Sequence, residues 1–169
     1  VDFIIQNPRC GLFLDMGLGK TVATLTAIHQ LLKTQQVKKV LIIAPLRVAL
    51  QTWPQEFNKW RHLNDMRYTI IHGAPRKRLE LLNEKTPIHI ISRDNLRWLI
   101  ELSDAVQWSY NMMIIDESSS FKDPSTKRFK ALKKVAINYS RVVLLTGTPT
   151  PNGLLGIWSQ SYLLDQGKR

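Results

Sequence analysis

Three short stretches of this chain hold side chains suited to handling a phosphoryl group. In the first, LFLDMGLGKTVATLTA at residues 12–27, Gly17 and Gly19 stand just before Lys20 and Thr21. Glycines in a strand-to-helix turn let backbone N–H groups close around phosphate oxygens, and the amino end of the helix adds its positive dipole end. In such a turn Lys20 can reach the β- and γ-phosphates and the Thr21 hydroxyl can hold Mg²⁺. The pattern G-x-x-x-x-G-K-[ST] asks for a further glycine five places before Gly19, and Leu14 is there. That substitution weakens the formal match without removing any working part.

A lone GKT carries little weight, so the second stretch matters. MMIIDESS, residues 112–119, is an apolar run that ends in two adjacent carboxylates. A strand of this form can deliver Asp116 to Mg²⁺ and Glu117 to an attacking water. Standing alone it would read as a solvated acidic turn. Paired with the glycine loop about ninety residues earlier, it indicates nucleoside triphosphate binding with hydrolytic potential. In the third stretch, VVLLTGTPTPNGLLGIWSQSYLL at residues 142–164, a buried strand ends on the hydroxyls of Thr146 and Thr148. These could sense the γ-phosphate through Glu117 or the lytic water. The plainer reading is a turn rich in Gly and Pro.

The elements that must position these groups are legible as a periodic pattern. Apolar runs at residues 12–14, 39–44, 68–71, 88–91, 112–115 and 142–145 are expected to be strands, and several are continuous rather than alternating, as in a sheet buried on both faces. Helical patterns fall between and after them, at 20–33, about 47–60, 75–83, 94–102, 126–137 and 153–164. Trp53, Phe57 and Trp60 form an i, i+4, i+7 stripe, read as core packing rather than a base-stacking platform, and Pro54 must start or kink its helix. Strand–helix alternation across the chain predicts one domain with a doubly wound, mostly parallel α/β sheet, whose ligands gather at the carboxyl ends of the strands.

Composition narrows the classes. The 169 residues are 44% hydrophobic and 22% charged, ordinary for a folded domain with a core. No apolar run reaches the roughly 18 residues of a spanning helix, and no signal peptide is evident, so a soluble, non-secreted protein without a membrane partner is expected. Cys10 is the one cysteine, and the four histidines show no ligand spacing with it, which argues against a metal cage of side chains. The net charge of +11 makes a polyanionic partner worth considering, though charge alone proves little. In the densest basic run, residues 126–134, Phe129 and Leu132 alternate at helical spacing with Lys127, Lys130 and Lys134, which fits a solvated face as well as nucleic-acid contact.

In order and spacing, DMGLGKT, LIIAPLRVALQTWPQEFNKW, IHIISRDNL, IIDESSSFKDPSTKRFKAL and LLTGTPTPNGLLGIWSQSYLLDQG resemble motifs I, Ia, Ib, II and III of the Swi/Snf-type ATPases in helicase superfamily two. The resemblance covers nearly the whole chain. It implies the first RecA-like lobe, a three-layer α/β/α P-loop NTPase unit, of a motor that uses ATP and Mg²⁺ to move along double-stranded DNA. It implies nucleotide contacts from Asp15, Met16, Gly17, Leu18, Gly19, Lys20, Thr21 and Val22. Thr21 and Asp116 become the Mg²⁺ ligands and Glu117 the general base, while Thr146, Gly147 and Thr148 couple nucleotide state to DNA grip. Pro45, Leu46, Arg47, Ser92, Arg93 and the region of Lys122 match segments lying near a DNA strand in relatives.

Two departures stand out. Relatives commonly have His as the fourth residue of motif II, where this chain has Ser119 with Ser118 before it, as in bacterial and phage members. Hydrolysis is expected to survive this, with altered communication to motif III. The adenine-selecting glutamine lies about twenty residues upstream of the loop in relatives, before Val1, and Gln6 is too close to fill its place. A second lobe with arginine fingers is the implied partner within the intact polypeptide, and no obligate oligomer is expected. The implied compartment is the cytoplasm of a bacterial or phage-infected cell, or the nucleus if the source is eukaryotic. Two other classes share parts of the pattern: a P-loop phosphotransferase, which would need an acceptor pocket and gives TGTP no role, and a nonenzymatic basic nucleic-acid-binding module.

Overall fold

The computed structural model describes residues 1–102, 109–121, 123–147 and 154–168. Six parallel strands form one sheet in the order β1-β6-β5-β2-β4-β3: β1 Arg9–Phe13, β2 Val40–Ala44, β3 Tyr68–Ile71, β4 Ile88–Ser92, β5 Met112–Asp116 and β6 Arg141–Thr146. The helices are α1 Asp2–Gln6, α2 Lys20–Lys33, α3 Trp53–Lys59, α4 Pro75–Leu82, α5 Leu96–Glu101, α6 Lys127–Ala136 and α7 Leu154–Asp165.

Parallel neighbours need crossovers, and right-handed crossovers sort the helices by direction of travel. From β1 to β2 and from β2 to β3 the chain moves one way along the sheet, placing α2 and α3 on one face. From β3 back to β6 it moves the other way, placing α4, α5 and α6 on the opposite face, joined there by α7. Side chains alternate accordingly. Val40 and Ile42 face the α2/α3 layer with Ile114 and Val143, whereas Leu41 and Ile43 face the α5/α6 layer with Ile115 and Leu144. Every residue of β2 and β4 is buried, which is why β2 reads as an unbroken apolar run and β4 as an isoleucine-rich one interrupted by His89 and ended by Ser92.

Two elements depart clearly from the sequence expectation and a third, α1, was not expected. β1 occupies Arg9–Phe13 rather than 12–14, its register running from Arg9 opposite Val142 to Phe13 opposite Thr146. Its polar start hid it: the Arg9 guanidinium is folded onto the carbonyls of Ala136 and Tyr139, both at 2.8 Å, and of Leu163 and Leu164, satisfying chain ends after α6 and within α7. The helix expected over 47–60 is divided into a π-wound turn, Val48–Thr52, and α3. Pro54 has no N–H to donate and its ring would press on the carbonyl a turn earlier, so widening the turn just before it relieves that clash. α1 had no sequence signal; it packs on α2, and the Arg141 guanidinium binds the carbonyls of Ile4 and Ile5.

Candidate functional site

β1, β5 and β6 are consecutive in the sheet when β6 is taken as the centre, and the segments that follow or end them meet at their carboxyl ends. Beyond β1 the chain runs through Leu14 to Gly19 and enters α2 at Lys20. The Leu14 N–H donates to the Thr146 carbonyl at 3.2 Å, so this residue prolongs the pairing with β6. Left-handed backbone occurs only further on, at Gly17 (φ +82°) and Gly19 (φ +73°). The position where the pattern asks for a glycine therefore has a conformation that any residue adopts, and leucine is tolerated there. A Cβ at Gly17 would meet nothing within 4 Å, so that glycine serves backbone conformation and open approach. The Lys20 ammonium is turned onto the loop, donating to the carbonyls of Leu14 and, at 2.8 Å, Asp15.

At the end of β5, Asp116 points into the α2/α3 side. The Trp53 indole N–H donates to its Oδ2 at 2.9 Å, and the Glu117 backbone N–H donates to its Oδ1 at 2.9 Å. Burial, the largest influence, pushes the Asp116 carboxyl above its ordinary value, and these two hydrogen bonds oppose the rise. Glu117 itself is exposed and has φ +51°, a left-handed conformation that costs a non-glycine residue about 1–2 kcal/mol. After it the chain winds into a 3₁₀ turn, Ser118–Phe121.

A cavity of about 650 Å³ collects these groups. Its walls include residues 16–22 of the loop and α2, Asp116, Glu117, Thr146 and Gly147, with Val48, Thr52, Glu56, Lys59 and Trp60 from the neighbouring helical segment. A hollow of about 710 Å³ near Arg9 and Asp165 lies at the start of β1, the opposite end of that strand, among helix-capping groups. Asp15 contributes its carbonyl to Lys20. Thr148 and Lys122 lie outside the described residues.

The DNA-side candidates divide by element. Pro45, Leu46 and Arg47 follow β2, and Ser92 and Arg93 end and follow the adjacent β4, with Ala44 opposite Ser92 in the register. Leu46 and Arg47 are exposed, Arg93 is half-buried, and the Ser92 side chain is buried. Trp53 and Phe57 are core, as the stripe suggests, but Trp60 is 36% exposed on the cavity wall, its indole bonded to Glu56 at 2.7 Å. Helical spacing could not separate them, because α3 ends at Lys59 and Trp60 is already extended. The contact of Trp53 with Asp116 was equally hidden: its periodicity signalled only the core.

Family comparison bears on this arrangement. The family model for the SNF2-related domain matches residues 5–166. The chain belongs to that family. Protein p41 of Acyrthosiphon pisum secondary endosymbiont phage 1 is 39% identical over 176 residues, covering 100% of this chain and 38% of its own length. The DNA excision repair protein ERCC-6-like of Mus musculus is 33% identical, covering 90% of this chain and 12% of that protein. Among solved structures, the Sulfolobus solfataricus SWI2/SNF2 ATPase core in complex with dsDNA superposes with a TM-score of 0.80 at 30% identity, over 98% of this chain and 33% of that one. This SNF2-related domain thus spans well under half of each of these relatives, and its α/β sheet is that of the RecA-like SWI2/SNF2 core.

Proposed function

We propose that the chain is the ATP-binding lobe of a DNA-dependent ATPase that couples hydrolysis to translocation along double-stranded DNA. The observation that carries this is the meeting of Lys20, Thr21, Asp116, Glu117 and Thr146 on one cavity, brought from the ends of three adjacent strands. Backbone N–H groups at residues 17–21 and the amino end of α2 would receive the β- and γ-phosphates, with Lys20 leaving its two carbonyls to neutralise them. Thr21 and Asp116 supply the hard oxygen donors that suit Mg²⁺, which when bound offsets charge developing on the phosphates. Trp53 holds Asp116 in orientation, leaving Glu117 exposed to orient and deprotonate water. Thr146, which lines the same cavity, would stand beside that water.

Arg47 and Arg93, at the ends of neighbouring strands, would grip DNA phosphates with backbone groups nearby, a mode that holds the duplex without reading sequence. The net charge of +11 favours such a partner, and the superposing Sulfolobus core was solved with dsDNA. A second lobe would supply arginine fingers, which contribute about 10³-fold or more in phosphoryl transfer. The 169 residues alone are therefore expected to bind Mg-ATP weakly and turn it over very slowly. Where the intact motor works on DNA, its compartment is the cytoplasm of a bacterial or phage-infected cell, or a nucleus. Among the described residues no helix is long and apolar enough to cross a membrane.

The test is steady-state ATP hydrolysis by the intact protein with and without linear duplex DNA at low and moderate salt. Stimulation by duplex that weakens with salt is expected. Hydrolysis indifferent to DNA would overturn the motor reading.

A further inference from the structure

Ser118 follows Glu117 directly and is fully buried, and its hydroxyl donates at 2.7 Å to Oε1 of Gln160, a side chain 2% exposed on α7. The two residues are 42 positions apart, and neither lines the cavity. A polar side chain withdrawn from water in this way needs hydrogen-bond partners, and the Ser118 hydroxyl finds its acceptor in Gln160. α7 also packs on the 3₁₀ turn that begins at Ser118, and on β1 and β6, whose ends carry the glycine loop and Thr146.

The acidic turn is thereby tied to both helical layers. Trp53 of α3 binds Asp116 from one face of the sheet, and Gln160 of α7 binds Ser118 from the other. Glu117 stands between these two anchors with φ +51°. A left-handed non-glycine residue persists where its surroundings over-determine it, and anchored neighbours on both sides do so. Removing the Ser118 anchor frees the turn to relax toward an ordinary backbone, which swings the Glu117 carboxylate away from its place on the cavity wall.

We propose that Gln160, acting through Ser118, is a positioning residue for Glu117. This rests on the reading above, in which Glu117 handles the attacking water. It also makes α7 a mechanical input to the hydrolytic turn, since a displacement of that helix reaches Glu117 through one buried hydrogen bond.

The experiment compares the intact protein with Ser118→Ala, Gln160→Leu, the double variant and Glu117→Gln, reading DNA-stimulated kcat, KM for ATP, nucleotide affinity and Tm. The expected result is a fall in kcat of about tenfold in each single variant and no further fall in the double, with KM and nucleotide affinity within about twofold of the parent. Replacing both buried polar partners by apolar ones can restore stability. The double variant is therefore expected to regain Tm relative to Gln160→Leu, which strands the buried Ser118 hydroxyl, while kcat stays low, a split that a packing role does not produce. Unchanged kcat in the singles, recovery of kcat together with Tm in the double, or parallel losses of affinity and kcat would each overturn the inference. A parent that hydrolyses no ATP, or a Glu117→Gln variant as active as the parent, would overturn the functional reading and this inference with it. Activity lost in Glu117→Gln but kept in Ser118→Ala overturns the inference alone.

Discussion

The indole N–H of Trp53 donates to the carboxylate of Asp116 at 2.9 Å, joining a fully buried core residue of α3 to the last residue of β5. One side chain thus serves both the packing of the α2/α3 layer and the orientation of a candidate Mg²⁺ ligand. Removing such an outer partner typically costs 10–100-fold in metal affinity or activity. Trp53→Phe retains most of the packing and loses the donor. In the intact protein it is expected to lower DNA-stimulated kcat by roughly tenfold and to raise the Mg²⁺ concentration for half-maximal rate, measured by titrating Mg²⁺ at saturating ATP.

Glu117 combines a reactive position with a left-handed backbone. Glu117→Gln keeps shape and hydrogen bonding, so nucleotide affinity should survive while hydrolysis is lost. Glu117→Gly should also lose hydrolysis, yet gain about 1 kcal/mol of stability as the φ penalty disappears. Urea unfolding of the two variants side by side checks this, and equal stability of both would show that the turn stores no strain.

Lys20 donates to the loop carbonyls of Leu14 and Asp15, and its charge is the counterpart the loop offers to an incoming triphosphate. Ligand that binds only the folded state raises Tm in proportion to the logarithm of its concentration over Kd. Mg-ATP should therefore raise the Tm of the parent, while Lys20→Ala should show little or no rise at the same nucleotide concentration. The measurement is a thermal melt across an ATP series.

Stability should fall in mild acid because of His89. This side chain of β4 is fully buried, accepting from the Tyr110 hydroxyl at Nδ1 (2.6 Å) and donating from Nε2 to the Glu84 carbonyl (3.1 Å), an arrangement that suits the neutral ring. Burial, and then the charge of nearby Lys39, push its pKa down to about 4, with the Glu84 carbonyl opposing. Between the unfolded value near 6.5 and about 4 the unfolded chain binds the extra proton, so stability is present above that window and is lost as pH falls through it. The loss reaches on the order of 3 kcal/mol. Urea midpoints from pH 7 to pH 4 should show it, and His89→Gln should flatten the difference.

Much of the site was legible locally. The glycine loop, Lys20 and Thr21 depend on a strand, a turn and a helix start within a few residues, and the two carboxylates depend on one apolar run. Five of six strands were placed within a residue or two by their apolar runs, because in a sheet covered on both faces the central strands are buried along all or nearly all of their length. β1 was mis-bounded because it begins with an arginine whose partners, near residues 136–139 and 163–164, are distant in the chain.

What the sequence determined by itself was therefore chemistry carried by neighbours: which residues could bind phosphate, which could hold a divalent cation or activate water, and the alternation that forces a parallel sheet. The tertiary structure alone decided how those groups are held. The crossing of two strands between β1 and β2 leaves β5 and β6 to bring Asp116, Glu117 and Thr146 beside Lys20. The hydrogen bonds of Trp53 to Asp116 and of Gln160 to Ser118 span 63 and 42 residues and come from opposite faces of the sheet. No periodicity encodes such pairs, since a buried tryptophan and a buried glutamine take their second roles only from whatever the folded chain places opposite them.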